Sequence, residues 1–205
     1  MEIKNLVFDM GNVLIKFEPQ RYLEAFVSDK SHRELLMQEV FRGLEWICAD
    51  CGMPLEQAVK LCLEHVPEEL HEYVRMLFMD WHKEMQIIEG MEELIRAAKA
   101  KGYGIYLLSN TSESYYSYRE RLPAIELFDG EFASCDWHLM KPSESIYRAF
   151  YHQFRLVPAQ CLFIDDSAAN ILGANSTGMD GIVFHGKVND LVKQLKAKGV
   201  DLLVY

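Results

Sequence analysis

Carboxylates stand in two places where this chain leaves an apolar run: Asp9, in Phe8-Asp9-Met10-Gly11-Asn12, and the pair Asp165-Asp166, in Ile164-Asp165-Asp166-Ser167. Between them in the sequence lie Ser109-Asn110-Thr111, also at the end of an apolar run, and Lys141-Pro142. An aspartate can attack phosphorus and hold it as an aspartyl-phosphate. Asp165 and Asp166 beside it would be mutually repulsive unless a cation sat among them, and hard oxygen ligands with room for water and substrate favour Mg²⁺. Ser109, Asn110 and nearby backbone N–H groups suit phosphate oxygens, and Lys141 suits the remaining charge, as phosphoryl transfer requires. Each segment alone is ordinary, because Asp and Ser cap helices and Ser-Asn-Thr makes turns. Their convergence at successive strand ends is what makes one chemical site.

The elements that position them follow from hydrophobic periodicity. Five short, mostly continuous apolar runs, Ile3–Phe8, Gly104–Leu108, Gly130–Ala133, Cys161–Ile164 and Gly181–Phe184, predict strands buried on both faces of a parallel sheet. Helical patterns follow the later ones: Met91–Lys101 stopped by Gly102, Ser143–Phe154, Ala168–Ser176 and Val188–Lys198 running into Gly199. Alternating strands and helices imply an α/β fold with a doubly wound parallel sheet, whose ligands bind beyond the carboxyl ends of the strands. After the first strand comes a long stretch that is helical throughout, with Gln20–Val27, Glu34–Ala49, Pro54–His65 and Glu68–Met85 as its segments. A structureless connection of that length is not expected in a compact domain. The reading is a helical subdomain at 17–88 inserted into a core formed by 1–16 and 89–205.

Bulk properties narrow the function classes. With 31 acidic against 21 basic residues the net charge is −10 and there is no basic run, which argues against nucleic acid and anionic membranes as partners. A small anionic substrate stays open, since a metal ion and one lysine can dominate the field inside a pocket. No stretch approaches the roughly 20 apolar residues a membrane span needs, and the N-terminus does not resemble a signal peptide, so a cytoplasmic location is expected. Five scattered cysteines do not form a secreted disulfide framework, and the Cys48-Ala-Asp-Cys51 spacing lacks a second pair, so these read as ordinary thiols.

Together the four segments resemble the four motifs of the haloacid dehalogenase superfamily: strand plus Asp, strand plus Ser/Thr, Lys before Pro, and strand plus Asp-Asp. The helical insertion resembles that superfamily's cap, placed between the first two motifs over a Rossmann-like core. The resemblance spans essentially the whole chain and implies a Mg²⁺-dependent phosphatase acting on small phosphorylated metabolites. It implies Asp9 as nucleophile and metal ligand, the Gly11 carbonyl as a second ligand, and Asp165 and Asp166 as metal carboxylates. It also implies Ser109 and Asn110 at the phosphoryl group and Lys141 bridging phosphate and Asp9.

The first motif departs from the family's Asp-x-Asp-Gly. Gly11 stands where the second Asp serves as general acid and base, a role worth about 10²–10⁴-fold, and Asn12 stands where Gly is usual, a residue that also tolerates a left-handed backbone. Three readings follow. The chain is a phosphatase whose acid comes from the cap or whose substrate leaves easily, as in a branch resembling bacterial sugar-phosphate phosphatases that includes an α-glucose-1-phosphatase. Alternatively it is a metal-independent haloalkanoate dehalogenase, although Asp165-Asp166 would then place surplus negative charge near an anionic substrate. Or it is a catalytically weak binding protein on the same fold.

Lesser features carry two readings each. His32, His65, His71, His82 and His138 are possible proton donors or ordinary surface residues, with His138 a pocket candidate. Trp46, Trp81 and Trp137, with Tyr115, Tyr116 and Tyr118, could stack on a sugar, with core packing the better reading for Trp46 and Trp81, and Met76, Met79 and Met85 read as packing. Asn170, one turn beyond Asp166, either bonds the motif loops or caps its own helix.

Overall fold

The computed structural model describes residues 2–202. Strand β1 (Asn5–Phe8) is followed by the two-residue strand β2 (Ile15–Lys16). The chain then passes through α1 (Pro19–Phe26), α2 (Lys30–Leu36), α3 (Leu44–Asp50), α4 (Leu55–Leu63) and α5 (His71–Asp80) and returns along β3 (Gln86–Ile87). Strands and helices alternate from there: α6 (Met91–Ala100), β4 (Gly104–Ser109), α7 (Tyr115–Tyr118), β5 (Gly130–Ala133), α8 (Ser134–Trp137), α9 (Glu144–Phe154), β6 (Cys161–Asp165), α10 (Ala168–Ser176), β7 (Asp180–Val183) and α11 (Val188–Ala197).

The central sheet has the order β5-β4-β1-β6-β7, and every pairing in it is parallel. The chain winds outward from β1 through β4 to β5, then crosses to β6 and β7 on the other side. The reversal therefore falls at β1, where doubly wound sheets open a crevice for ligands. Asp9 leaves that central strand between the ends of β4 and β6, which supply Ser109 and Asp165.

The sheet is buried on both faces, which explains the unbroken apolar runs of its strands. Leu6, Phe8, Leu107 and Ile164 belong to a core shared with α6, α11 and the α1–α5 helices. Val7, Leu108 and Phe163 belong to a second core built with Ile146, Tyr147 and Phe150 of α9 and Ile171 of α10. The alternation is the two-residue period of a strand. Ser143 and Ser167 cap α9 and α10, each accepting from a backbone N–H of the first turn.

The helical stretch departs from its expected segments. Glu34–Ala49 is not one helix: α2 runs into a π turn at Met37–Phe41, and α3 starts afresh at Leu44. Gly43 makes the break, since its backbone is extended and a Cβ there would lie 2.2 Å from the Glu39 carbonyl oxygen. Likewise Glu68–Met85 resolves into 3₁₀ turns at Glu68–Leu70 and Trp81–Glu84 on either side of α5. Pro54 is the residue before α4 rather than inside its first turn. Strands β2 and β3, which pair antiparallel where the chain leaves and rejoins the sheet, are too short to announce themselves by periodicity. Among the described residues no helix is long and apolar enough to cross a membrane.

Candidate active site

The backbone fixes Asp9 first. Its N–H donates to the Ile164 carbonyl at 2.9 Å, continuing the β1–β6 pairing, and its Oδ1 accepts from the Met10 N–H at 2.7 Å. Lys141 reaches the same carboxylate from the loop between α8 and α9. Its Nζ lies 2.8 Å from Asp9 Oδ1 and 2.7 Å from Asp165 Oδ2 and is shut off from solvent. Asn110 holds that loop in place: its carboxamide donates to the Lys141 carbonyl at 3.0 Å and accepts from the Lys141 N–H at 2.9 Å.

Asp165, wholly buried at the end of β6, accepts from the Ser167 N–H at 2.8 Å and from Asn170 Nδ2 at 3.0 and 3.1 Å. Of the two readings of Asn170, the structure therefore selects the bond to the motif loop. Asp166 is half-buried, and its Oδ2 accepts from Asn12 Nδ2 at 3.0 Å. Asn12 has the left-handed backbone expected of it, with φ of 55°, and its Oδ1 accepts from the Phe17 N–H at 3.1 Å.

Asp9, Asp165 and Asp166 each offer a carboxylate oxygen within 4.8 Å of the others. One ammonium against three carboxylates leaves surplus negative charge at a dry site. Burial, then the charge of Asp165, pushes the Asp9 carboxyl up to about 7 although Lys141 opposes both. Burial also works against the charge of Lys141, but the two carboxylates outweigh it and hold this ammonium above the ordinary lysine range. All three acids are hard oxygen donors, so the set suits a divalent cation, which would relieve the repulsion.

In front of Asp9 lies a small cavity of about 110 Å³, with Gly11 and Asn110 on its floor and Phe17, Trp46 and Trp81 in its wall. A Cβ on Gly11 would meet only Phe17 Cβ, in ordinary van der Waals contact at 3.9 Å, so the backbone there has room for a side chain. Ser109 sits buried at the end of β4, where its hydroxyl makes only a long 3.4 Å contact to the Asn110 carbonyl.

Several expectations change here. Asn110 lines the cavity, but its carboxamide is engaged by the Lys141 backbone rather than turned to a phosphate. The aromatic wall comes from Phe17, Trp46 and Trp81, which also pack against one another. Trp137 instead stacks on Phe132 at 4.5 Å, while Tyr115 and Tyr118 are buried away from the cavity and Tyr116 faces solvent. His138 is exposed, bonded through Nδ1 to the Cys51 carbonyl at 2.9 Å. Met79 is exposed rather than core filler.

One cavity residue escaped the sequence reading altogether. Asp50, the last residue of α3, lines the cavity with Asp9. Burial, and then the charge of Asp9, pushes its carboxyl up to about 7, against the pull of the Ser112 backbone amide. The only trace in sequence was an acid at the end of a helical run before Cys51-Gly52, hidden inside a CxxC spacing.

Comparison with known proteins agrees with this geometry. The chain is 26% identical over 183 residues to a sesquiterpene phosphatase of Aspergillus oryzae, covering 87% of this chain and 88% of that one. It is 26% identical over 205 residues to a phosphorylated carbohydrates phosphatase of Thermotoga maritima, covering 97% and 93%. A Bacteroides thetaiotaomicron enzyme of the same fold, solved with magnesium and inorganic phosphate, superposes with a TM-score of 0.69 at 20% identity over 90% of this chain and 95% of that one. The model of the haloacid dehalogenase-like hydrolases matches residues 3–178, and the chain is a member of that family.

Proposed function

We propose that this hydrolase is a Mg²⁺-dependent phosphatase of small phosphate monoesters that works through an aspartyl-phosphate on Asp9. The observation that carries the reading is the Asp9–Lys141–Asp165 chain of contacts with Asp166 beside it, a carboxylate nucleophile held against an ammonium next to a corner of negative charge. Asp9, Asp165, Asp166 and the Gly11 carbonyl would hold the ion. When bound, it neutralises these acids and the phosphate oxygens, so that an anion can approach an anion.

The side chains then divide the work. Lys141 holds Asp9 in line and offsets the charge of the transferring group. Ser109 offers its hydroxyl to that group, and Asn110 acts by fixing the loop of Lys141. Asn170 and Ser167 keep Asp165 oriented. The helical residues 17–88 serve as a cap over the core at 1–16 and 89–205, and Phe17, Trp46 and Trp81 meet the leaving group. A metal-free dehalogenase is disfavoured by the same arithmetic of charge, because three acids and one lysine would repel a haloacid carboxylate.

Sugar phosphates such as hexose 1-phosphate are the first class to test. A second reading, an apolar alcohol as leaving group, is favoured by the aromatic wall and by the sesquiterpene phosphatase among the relatives. A panel of sugar, prenyl and p-nitrophenyl phosphates with Mg²⁺ separates them by kcat/KM. The Asp9→Asn variant is expected to lose about 10⁴-fold or more in kcat, since no other group replaces the nucleophile. Hydrolysis that survives this substitution overturns the assignment.

A further inference from the structure

The phosphatase reading leaves one chemical role unfilled. With Gly11 in the first motif, nothing on the core side of the cavity can give a proton to a departing alkoxide or take one from the water that hydrolyses the aspartyl-phosphate. The core side of the cavity offers Asp9, which is bonded to Lys141 behind it, and Ser, Thr and Asn side chains that do not titrate in this range. The opposite wall is aromatic. Among the described residues Asp50 is the one carboxyl reaching the cavity from the helical side.

We infer that Asp50 is the general acid and base of this enzyme, supplied from the helical segment across the cavity in place of the acid absent at Gly11. This rests on the phosphatase reading and deepens it. Three features place the side chain. First, it lines a cavity of about 110 Å³ together with Asp9 and Gly11, so a substrate oxygen attached to the transferring phosphorus would lie between the two carboxyls.

Second, the turn that carries Asp50 is clamped to the core. Its carbonyl accepts from the Ser134 hydroxyl, and the next carbonyl, of Cys51, pairs with His138 Nδ1 at 2.9 Å. Gly52, at φ of 99°, lets the chain come so close that a Cβ would lie 2.3 Å from His138 Nδ1 and 2.5 Å from the Cys135 carbonyl oxygen. Ser134 also accepts from the Thr111 N–H at 2.9 Å, which ties the clamp directly to the Ser109-Asn110-Thr111 segment. A proton donor must hold its place to within a hydrogen bond, and this one is braced to the same loop that borders the phosphate site.

Third, its surroundings favour the protonated form at rest. Asp50 is buried and faces the charge of Asp9, and it ends α3, where the backbone carbonyls also disfavour a negative charge. Its carboxyl is thereby raised into the range where it can both give and take a proton near neutral pH.

The two half-reactions balance. In the first, an Asp9 oxygen bonds to phosphorus as the ester P–O bond breaks, and the Asp50 proton goes to the leaving oxygen. In the second, the Asp50 carboxylate takes a proton from water, whose oxygen bonds to phosphorus as the Asp9–phosphorus bond breaks. Inorganic phosphate leaves and Asp50 is protonated again.

The isosteric variant Asp50→Asn tests this with p-nitrophenyl phosphate, whose leaving group departs without a proton. The expected result is a burst of about one equivalent of p-nitrophenolate per enzyme, a kcat lowered by about 10²–10⁴-fold and a kcat/KM close to that of the wild type. Intact-mass measurement would then find the phosphate adduct accumulating. A near-normal kcat/KM also shows that the variant is folded. The inference is overturned if kcat stays within about threefold of wild type, or if kcat and kcat/KM fall together without a burst, the pattern of a structural residue. A wild-type enzyme inactive on this ester would instead overturn the phosphatase reading itself.

Discussion

The two sides of the cavity are built on different principles. On the sheet side, every charged group is held by named hydrogen bonds: Asp9 by the Met10 amide and Lys141, Lys141 by Asn110, Asp165 by Ser167 and Asn170. On the helical side, contact is made by Phe17, Trp46 and Trp81, which pack on one another and present faces rather than polar atoms, with Asp50 as the exception. The contrast separates two tasks. Preorganised charge acts on the phosphoryl group, which every substrate shares, while shape and apolar area act on the leaving group, which differs between substrates. Asp50 is the point where the second side contributes to the chemistry of the first.

The largest effect on stability should come from breaking the sheet side at its centre. Lys141→Met keeps the length of the side chain and removes its charge. Asp9 and Asp165 are then left facing each other with no ammonium between them. Activity is expected to fall about 10²–10³-fold, as for loss of one preorganised charge-stabilising donor. Stability in chelator should drop by roughly 3–5 kcal/mol, the cost of orphaning one side of a buried pair. Because a bound cation takes over part of that neutralisation, Mg²⁺ should raise the melting temperature of this variant more than that of the wild type. Equal responses to Mg²⁺ would show that the three acids do not share an ion with Lys141.

The same contrast decides how much was legible in the sequence. Asp9, Ser109, Asp165 and Asp166 could be found because they stand where apolar runs end, and a parallel sheet sends all its strand ends to one edge, while Lys141 was marked by Lys141-Pro142 in the loop after the third strand. Topology turned five separated positions into one site. The left-handed Asn12 was legible for a local reason, its residue type. The helical side offered no such rule, because which face of a helix looks into a cavity depends on where the helices break. The breaks at Gly43 and around α5 were invisible, since Gly43 is required by the Glu39 carbonyl pressing against it and not by any local pattern. So the sequence favours packing for Trp46 and Trp81 and does not single out Phe17, and Asp50 reads only as the interior of a CxxC spacing.

A smaller and more local break tests the clamp that joins the two sides. In Gly52→Ala, the new methyl meets backbone at Cys135 and the ring of His138, and neither can move without opening the turn. Gly102→Ala is the control, with a similar φ of 86° but nothing within 4 Å of its Cβ. The control should cost about 1 kcal/mol, the backbone term alone, and leave kcat unchanged. Gly52→Ala should cost roughly 2–4 kcal/mol, because strain and overpacking add, and should lower kcat by displacing Asp50. Equal urea midpoints for the two variants would mean that the turn is not pressed against α8 and that the clamp does not position the acid.

The smallest expected effect is also the sharpest test of what Asp50 does to the fold. Asp9 faces its carboxyl across the cavity, Tyr118 and Cys135 lie close enough to sense its charge, and the Ser112 amide alone favours the ionised form. With a pKa of about 7 in the folded protein, above the ordinary aspartate range of about 4, the folded protein keeps a proton that the unfolded chain releases. Stability from this group is therefore full below the unfolded value, declines as pH rises through the window between the two, and is replaced above it by the cost of a buried carboxylate. Asp50→Asn stays neutral throughout. In chelator at about pH 8 it should be more stable than the wild type by roughly 1–2 kcal/mol, the full shift being reduced because Asp50 opens onto the cavity; at about pH 4 the two should agree. Such a gain in stability with a loss of turnover is the signature of a group placed for chemistry rather than for folding. Urea denaturation across that range measures it. A variant less stable than the wild type at the alkaline end would make the carboxylate a structural hydrogen-bond acceptor for Ser112, and the proton would have to come from elsewhere.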